Sequence, residues 1–318
     1  MTSWRSRALP LLLAATGRHR AYLDAESARA HIDNRGGQQQ PFWPPPRLRR
    51  DVEVAFEHGS GWPVYTLTPK ANRKAAPESV GDGCPGRTVF YLHGGAWVNE
   101  ITGAHWRLAA QIAAEADAEV IVPIYPLVPH TTAAEVMPVI VDMVIAALTR
   151  AQAQARARAQ PEVHRVCLAG DSAGGQMVLS AALMLRDRHD VILPETVLIS
   201  PVLDLSLANP LIGSVDDPWL GRDALRVFAD RWRGDLDLSD LRVNPIAAAL
   251  AGLGPLTVFS GTRDILNPDA RLFTEKARAA GVPVDYHEQP GLLHVYPLTP
   301  TPEGRAARAA IVDQLRRA

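Results

Sequence analysis

The sequence predicts an α/β protein with a mostly parallel sheet of eight strands, helices on both of its faces and a small helical cap. Three observations carry that expectation. Eight short runs rich in β-branched and aromatic residues recur along the chain, and the later ones are separated by patterns of helical period. One run stops at Gly170-Asp171-Ser172-Ala173-Gly174 and resumes as a helix. Alternation of this kind argues for strands that lie parallel and are covered on both sides.

Taken in order, residues 1 to about 50 read as helical and then extended, closing in Pro41-Phe42-Trp43-Pro44-Pro45-Pro46, a stiff polyproline spacer that leads into the sheet. Strands are expected at 52–56, 63–67, 88–92, 119–125, 163–169, 196–200, 256–260 and 284–288. Helices are expected at 106–116, from 133 to about 159, at 175–188, at 271–280 and from Pro302 onward. The run Gln152-Ala153-Gln154-Ala155-Arg156-Ala157-Arg158-Ala159 is compositionally simple but strongly helix-forming, as the solvated end of the second of these. From Leu205 to about Leu241 the rhythm breaks: Asp217-Pro218-Trp219-Leu220 is followed by Leu225, Val227, Phe228 and Trp232 at helical spacing.

The 318 residues are 47% hydrophobic and 21% charged, which suffices for one full α/β core. A formal net charge of −1 and a pI near 6.8 give no whole-protein attraction for nucleic acid. The two cysteines make no disulfide framework: Cys167 falls in the strand that feeds the glycine turn and Cys84 in a Gly/Pro loop, so a reducing, cytoplasmic setting is expected. No metal-ligand spacing occurs, and no cofactor is called for. Near the start, Arg5 and Arg7 precede the apolar run from Ala8 to Ala15 in the manner of a secretory signal. That run is short, is broken by Pro10, lacks a small-residue cleavage site and falls well below the roughly 20 apolar residues of a spanning helix. It reads as the first helix of a cap. The first fifty residues nonetheless hold nine arginines against three acids, with Trp4 and leucines interleaved, a composition suited to weak peripheral contact with a membrane.

Gly-x-Ser-x-Gly between a strand and a helix is how a nucleophilic serine is mounted, because glycines let the strand end and helix start come close while the serine projects. A hydroxyl is a poor nucleophile at neutral pH, so Ser172 needs a base, an orienter for that base, and donors for the oxyanion formed at a carbonyl. Just past two expected strands stand Asp264, in Gly261-Thr262-Arg263-Asp264, and His294, in Gly291-Leu292-Leu293-His294-Val295-Tyr296. Upstream, Thr88-Val89-Phe90-Tyr91-Leu92 runs into His93-Gly94-Gly95-Ala96-Trp97, a loop rich in exposed backbone amides. Strand ends of this kind are where open α/β sheets place their sites.

Together HGGAW, GDSAGG, the aspartate of GTRDIL and the histidine of PGLLHVY resemble the hormone-sensitive-lipase-like (HGGG) family of α/β-hydrolase fold esterases, from about Val54 to the C-terminus. The resemblance implies Ser172 as nucleophile, His294 as general base and then acid, and Asp264 as its orienter, in the chain order usual for that fold. It further implies an oxyanion hole made of Gly94, Gly95, Ala96 and Ala173, with the amides of Gly95, Ala96 and Ala173 as donors, and a lid formed by the N-terminal helices and the 205–241 segment. Trp97, Asn99 and Trp219 are then expected at the substrate, with Glu100, His105 and Trp106 bordering the cavity. The implied division is 1–50 as cap helices and spacer, 51–204 and 242–318 as the two parts of the catalytic domain, and 205–241 as a cap insertion. Two departures stand out: Ala96 replaces the third glycine, and Tyr125-Pro126-Leu127-Val128-Pro129 lacks the arginine of the usual Y-R-L-A-P.

Other side chains compete for these roles. Asp269 follows Asp264 closely but opens an amphipathic helix, where a first-turn acid is natural. Asp171 and Asp204 read as acceptors that fix loops, His93 as a shaper of its own loop, and His287 as part of a strand pattern. The implied reaction is hydrolysis of a short- to medium-chain acyl ester as small-molecule substrate. An amidase or arylformamidase, or a lactone hydrolase, would use the same residues, and a binding protein that had lost catalysis would keep the fold. A homodimer is compatible with the sequence, which does not give the subunit count.

Overall fold

The strands are β1 (Val52–Gly59), β2 (Trp62–Pro69), β3 (Arg87–Leu92), β4 (Glu119–Pro123), β5 (Arg165–Asp171), β6 (Thr196–Ile199), β7 (Leu256–Arg263) and β8 (Val284–Leu293). They form one sheet in the order β1-β2-β4-β3-β5-β6-β7-β8. Among the described residues the β1–β2 and β2–β4 pairings are antiparallel and the others parallel. This computed structural model describes residues 2–17, 19–35, 40–70, 86–157 and 165–318. Cys84, the expected strand start at Val163 and His164, and the expected helix end at Arg158 and Ala159 lie outside the described residues.

Burial explains the strand sequences. The central strands β3 and β5 are covered on both faces and are apolar almost throughout, whereas the edge strand β1 turns Glu53 and Glu57 to solvent. One face carries α3 (Gly103–Glu115) and α8 (Pro302–Arg317); the other carries α4 (Ala133–Ala157), α5 (Ala173–His189) and α7 (Asn267–Ala279). Among the described residues no helix is long and apolar enough to cross a membrane.

Boundaries move where tertiary context overrides local signals. β8 continues past the expected residue 288 through Pro290 and Gly291; it is an edge strand, where a missing N–H costs little, and the extension delivers the chain to His294. β7 continues to Arg263 with a register irregularity between Gly261 and Arg263, which re-aims the chain just before Asp264. α7 starts at Asn267, four residues before the expected 271, with Pro268 in its first turn.

A roof lies over the carboxyl ends of the parallel strands. It consists of α1 (Trp4–Thr16), a 3-10 turn at Arg20–Tyr22, α2 (Ala25–Arg35) and α6 (Arg222–Arg233). α6 buries Ala224, Leu225, Phe228, Ala229 and Trp232, a stripe of helical period. Phe228 meets Tyr22 and His31 at 5.6 and 6.2 Å between ring centroids, and Trp232 Nε1 donates to Gln176 Oε1 at 3.0 Å, tying α6 to the start of α5.

Candidate active site

Ser172 stands between β5 and α5 with φ 53° and ψ −117°, a backbone conformation that a residue with a β-carbon rarely adopts. Its neighbours hold it there: Ser172 N–H donates to the Ile199 carbonyl at 2.8 Å, at the end of β6, and the Ser172 carbonyl accepts from Val202 N–H at 3.1 Å, in the turn that follows. Gly174 shows why the turn needs its glycines. A β-carbon there would run into the Leu92 and His93 carbonyls at the end of β3.

Asp264 and His294 converge on this serine. Ser172 Oγ lies 2.9 Å from His294 Nε2, and His294 Nδ1 lies 2.9 Å from Asp264 Oδ2. The other carboxylate oxygen of Asp264 accepts from Leu266 N–H at 3.0 Å, so the acid is fixed at both ends. Val295, next to the histidine, has φ 47°, and its N–H donates to Ser200 Oγ at 3.0 Å, which locks the loop that carries the imidazole. Burial alone would push His294 down, but the Asp264 carboxylate and its hydrogen bond, with Asp217 and Asp171 farther off, outweigh it and hold the imidazole above its ordinary range. Asp217 accepts from the Trp219 and Leu220 amides at 2.8 and 3.1 Å and from Ile265 N–H at 3.0 Å. Burial, reinforced by Asp264, pushes it up to about 6. Asp269, the competing acid, is buried in the first turn of α7 and accepts from Asn209 Nδ2 at 2.8 Å, apart from the imidazole.

After β3 the chain makes a tight loop in which Gly95, Ala96 and Trp97 have φ of 130°, 53° and 56°. Val98 and Asn99 N–H close it on the Gly95 carbonyl at 3.2 and 2.9 Å. Asp171 is the loop's internal anchor: its Oδ1 accepts from Tyr91 Oη at 2.6 Å and from Gly94 N–H at 3.0 Å, while its Oδ2 lies 3.3 Å from His105 Nε2. Two expectations are corrected here. Gly94 lines the cavity, but its N–H is committed to Asp171 and is not free to meet an oxyanion. Trp97 is 1% exposed and stacked on Trp232 at 5.7 Å; its left-handed backbone turns the ring into the core, off the cavity wall. Ala96 lines the cavity, and Ala173 is buried directly behind Ser172 at the start of α5. His93 is wholly buried, its Nδ1 2.7 Å from the Gly94 carbonyl and its ring stacked on Tyr125. Burial, with His105 beside it, pushes His93 down to about 4, so it stays neutral in its structural place.

Ser172 and His294 open onto a cavity of about 980 Å³ roofed by Leu9 and Leu13 of α1 and by Leu220 and Leu225 around the start of α6. Trp219 also lines it, edge-on to the His294 ring at 5.7 Å. Asn99 lines it too, but both ends of its amide are used by protein. Nδ2 donates to Tyr22 Oη at 2.7 Å and to the Gly95 carbonyl at 3.1 Å, and Oδ1 meets His31 Nε2 and Arg35 Nη2 at 2.8 and 2.9 Å. It is thus a tie between roof and loop. Glu100, on the same wall, is pushed up to about 7 by burial, with Arg35 opposing. Sequence reading missed Ser200 and Asp217. The Asp217-Pro218 pair signals a turn, but that the turn abuts Asp264 is a tertiary fact. Among the described residues no group of three His, Cys, Asp or Glu side chains is placed to hold a metal ion.

Residues 89–298 match the model of a family described as alpha/beta hydrolase fold. The chain is 32% identical to an acetyl-hydrolase of Streptomyces hygroscopicus over 70% of this chain and 73% of that one. It is 31% identical to carboxylesterase NlhH of Mycobacterium tuberculosis over 79% of this chain and 78% of the relative. Among solved structures, an esterase of the bacterial hormone-sensitive lipase family superposes with a TM-score of 0.69 at 26% identity, covering 91% of this chain and 89% of its own. The chain belongs to the α/β-hydrolase fold family, in its hormone-sensitive-lipase-like branch of esterases.

Proposed function

We propose that this chain is a serine carboxylesterase that cleaves short- to medium-chain acyl esters through an acyl-enzyme. The observation that carries the reading is the unbroken relay from Ser172 Oγ to His294 Nε2 at 2.9 Å and from His294 Nδ1 to Asp264 Oδ2 at 2.9 Å. Ser172 Oγ attacks the ester carbonyl while its proton passes to Nε2, and Asp264 stabilises the imidazolium through Nδ1–H. The amides of Gly95, Ala96 and Ala173 hold the oxyanion. His294 returns the proton to the departing alkoxide. Water then attacks the acyl-serine by the same route, releasing the acid and restoring the hydroxyl. A cavity of about 980 Å³ with a leucine-rich roof favours an apolar acyl group over a polar one.

In the same reading 51–204 and 242–318 make the catalytic domain, and 1–50 with 205–241 its cap. A cytoplasmic setting accords with Cys167 as a buried free thiol. Ser172→Ala tests the whole assignment. Turnover of p-nitrophenyl butyrate should fall by about 10⁴ to 10⁶ in kcat, and labelling by a fluorophosphonate probe should vanish. Retained turnover in the variant, or failure of the wild type to label, would overturn it. An acyl series from acetate to palmitate would define the chain length.

A further inference from the structure

The helix over the cavity presents two apolar faces. On the inner side of α1, Leu9 and Leu13 line the catalytic cavity, while Ser6 and Ser3 donate to Glu303 Oε2 at 2.9 and 2.8 Å and fasten the helix to α8. On the outer side, Trp4, Leu11 and Leu12 are 69%, 73% and 58% exposed. At 100° per residue these three share one stripe with Ala8 and Ala15, and Arg5 and Arg7 stand on its two flanks. The Arg5 guanidinium lies over the Trp4 ring at 5.7 Å. The helix carries no acid. An apolar stripe of this kind, left in water on a helix that is also apolar inside, marks a contact surface.

We infer that the outer face of α1 docks on an anionic phospholipid surface, with Trp4, Leu11 and Leu12 inserted at the headgroup boundary and Arg5 and Arg7 against lipid phosphates. Charge complementarity favours that occupant: both flanks are basic, and the first fifty residues hold nine arginines against three acids. Area argues against a second copy. Three large side chains on a helix of 13 residues offer far less than the roughly 800 Å² per partner of a stable protein interface. Docking would set the cavity lined by Leu9 and Leu13 directly behind the lipid surface, so an ester dissolved in the bilayer would pass under α1 without crossing water. This consequence for the substrate rests on the esterase reading; the docking itself does not.

Sedimentation of the full chain with unilamellar vesicles is the test. The wild type should pellet with equimolar phosphatidylglycerol and phosphatidylcholine and remain in solution with phosphatidylcholine alone, and added salt should release it. The variant Trp4→Ser/Leu11→Ser/Leu12→Ser and the variant Arg5→Glu/Arg7→Glu should each lose about tenfold or more in partitioning, with hydrolysis of dissolved p-nitrophenyl butyrate unchanged. Unchanged hydrolysis shows that both variants fold. Fluorophosphonate-treated wild type should pellet equally, which separates docking from catalysis. Wild type left in the supernatant with anionic vesicles would overturn the inference. So would variants that pellet like wild type, or a triple variant whose only change is a shift from dimer to monomer in light scattering.

Discussion

The carboxyl edge of the sheet and the helical roof above it meet at the same cavity but are built on different terms. At the edge, Ser172, Asp264 and His294 each follow directly on a strand, and their partners Ile199, Ser200 and Leu266 also lie at strand ends or in the first turn beyond. The roof gathers residues that lie far apart in sequence, such as Tyr22, His31 and Phe228, and seats them mainly through ring contacts, with Asn99 as the polar tie to the loop below. Reacting groups need placement to a fraction of an ångström, which short tethers to a rigid sheet supply. A roof need only exclude water and shape the space, a task that many packings of apolar side chains fulfil.

Removing the orienter should give the larger effect and tests the edge. Asp264→Asn keeps the acceptor for Leu266 N–H but presents an amide to His294, which favours the wrong imidazole tautomer. We expect kcat to fall by about 10³ to 10⁴ with little change in the melting temperature. A loss below tenfold would mean that His294 is oriented by other groups and that the edge tolerates loose placement as the roof does.

The roof's own leverage is measured at Asn99. Asn99→Ala strands Tyr22 Oη, His31 and Arg35 and removes the side-chain donor to the Gly95 carbonyl, so the loop beside Ser172 loses its brace to α2. A cost of about 1–3 kcal/mol in stability is expected from the unpaired groups, together with a loss of about tenfold in kcat/KM, read by thermal unfolding and steady-state kinetics. Unfolding without any kinetic change would make the roof a mere cover; a kinetic loss as deep as that of Asp264→Asn would make it part of the machinery.

The same contrast decides what could be read from the sequence. The Ser172 turn, the order of Asp264 and His294, and the loop after β3 were legible because each is a local pattern of strand, glycine and functional residue. Gly94 and Trp97 were misplaced because residue type says nothing about direction. An amide donating to Asp171 and a ring sent inward by a left-handed backbone are settled by long-range packing. The extension of β8 past Pro290 was hidden for a related reason: a proline reads as a stop unless the strand is known to lie at an edge. Ser200 and Asp217 carry no chemical signature at all, and only their distance from the triad gives them a role.

Asp217 yields the smallest effect and joins the two regions, since it belongs to the segment before α6 yet accepts from Ile265 N–H beside Asp264. His294 must be neutral to take the proton from Ser172, so activity falls as pH drops through its pKa. Despite burial, that pKa stands above the ordinary imidazole range because Asp264, Asp217 and Asp171 favour the imidazolium. The acid limb of kcat/KM therefore lies to the alkaline side of 6.5, the unperturbed value. Asp217→Asn removes one of those negative charges, so the His294 pKa falls and the limb moves to lower pH. Asp217 itself titrates at about 6, and its protonation opposes that of His294, so the wild-type limb is drawn out over both groups while the variant's reports a single ionisation. A pH profile of p-nitrophenyl butyrate hydrolysis checks both features. An acid limb that stays in place in the variant would mean that Asp217 is neutral throughout and that the roof adds no charge to the catalytic edge.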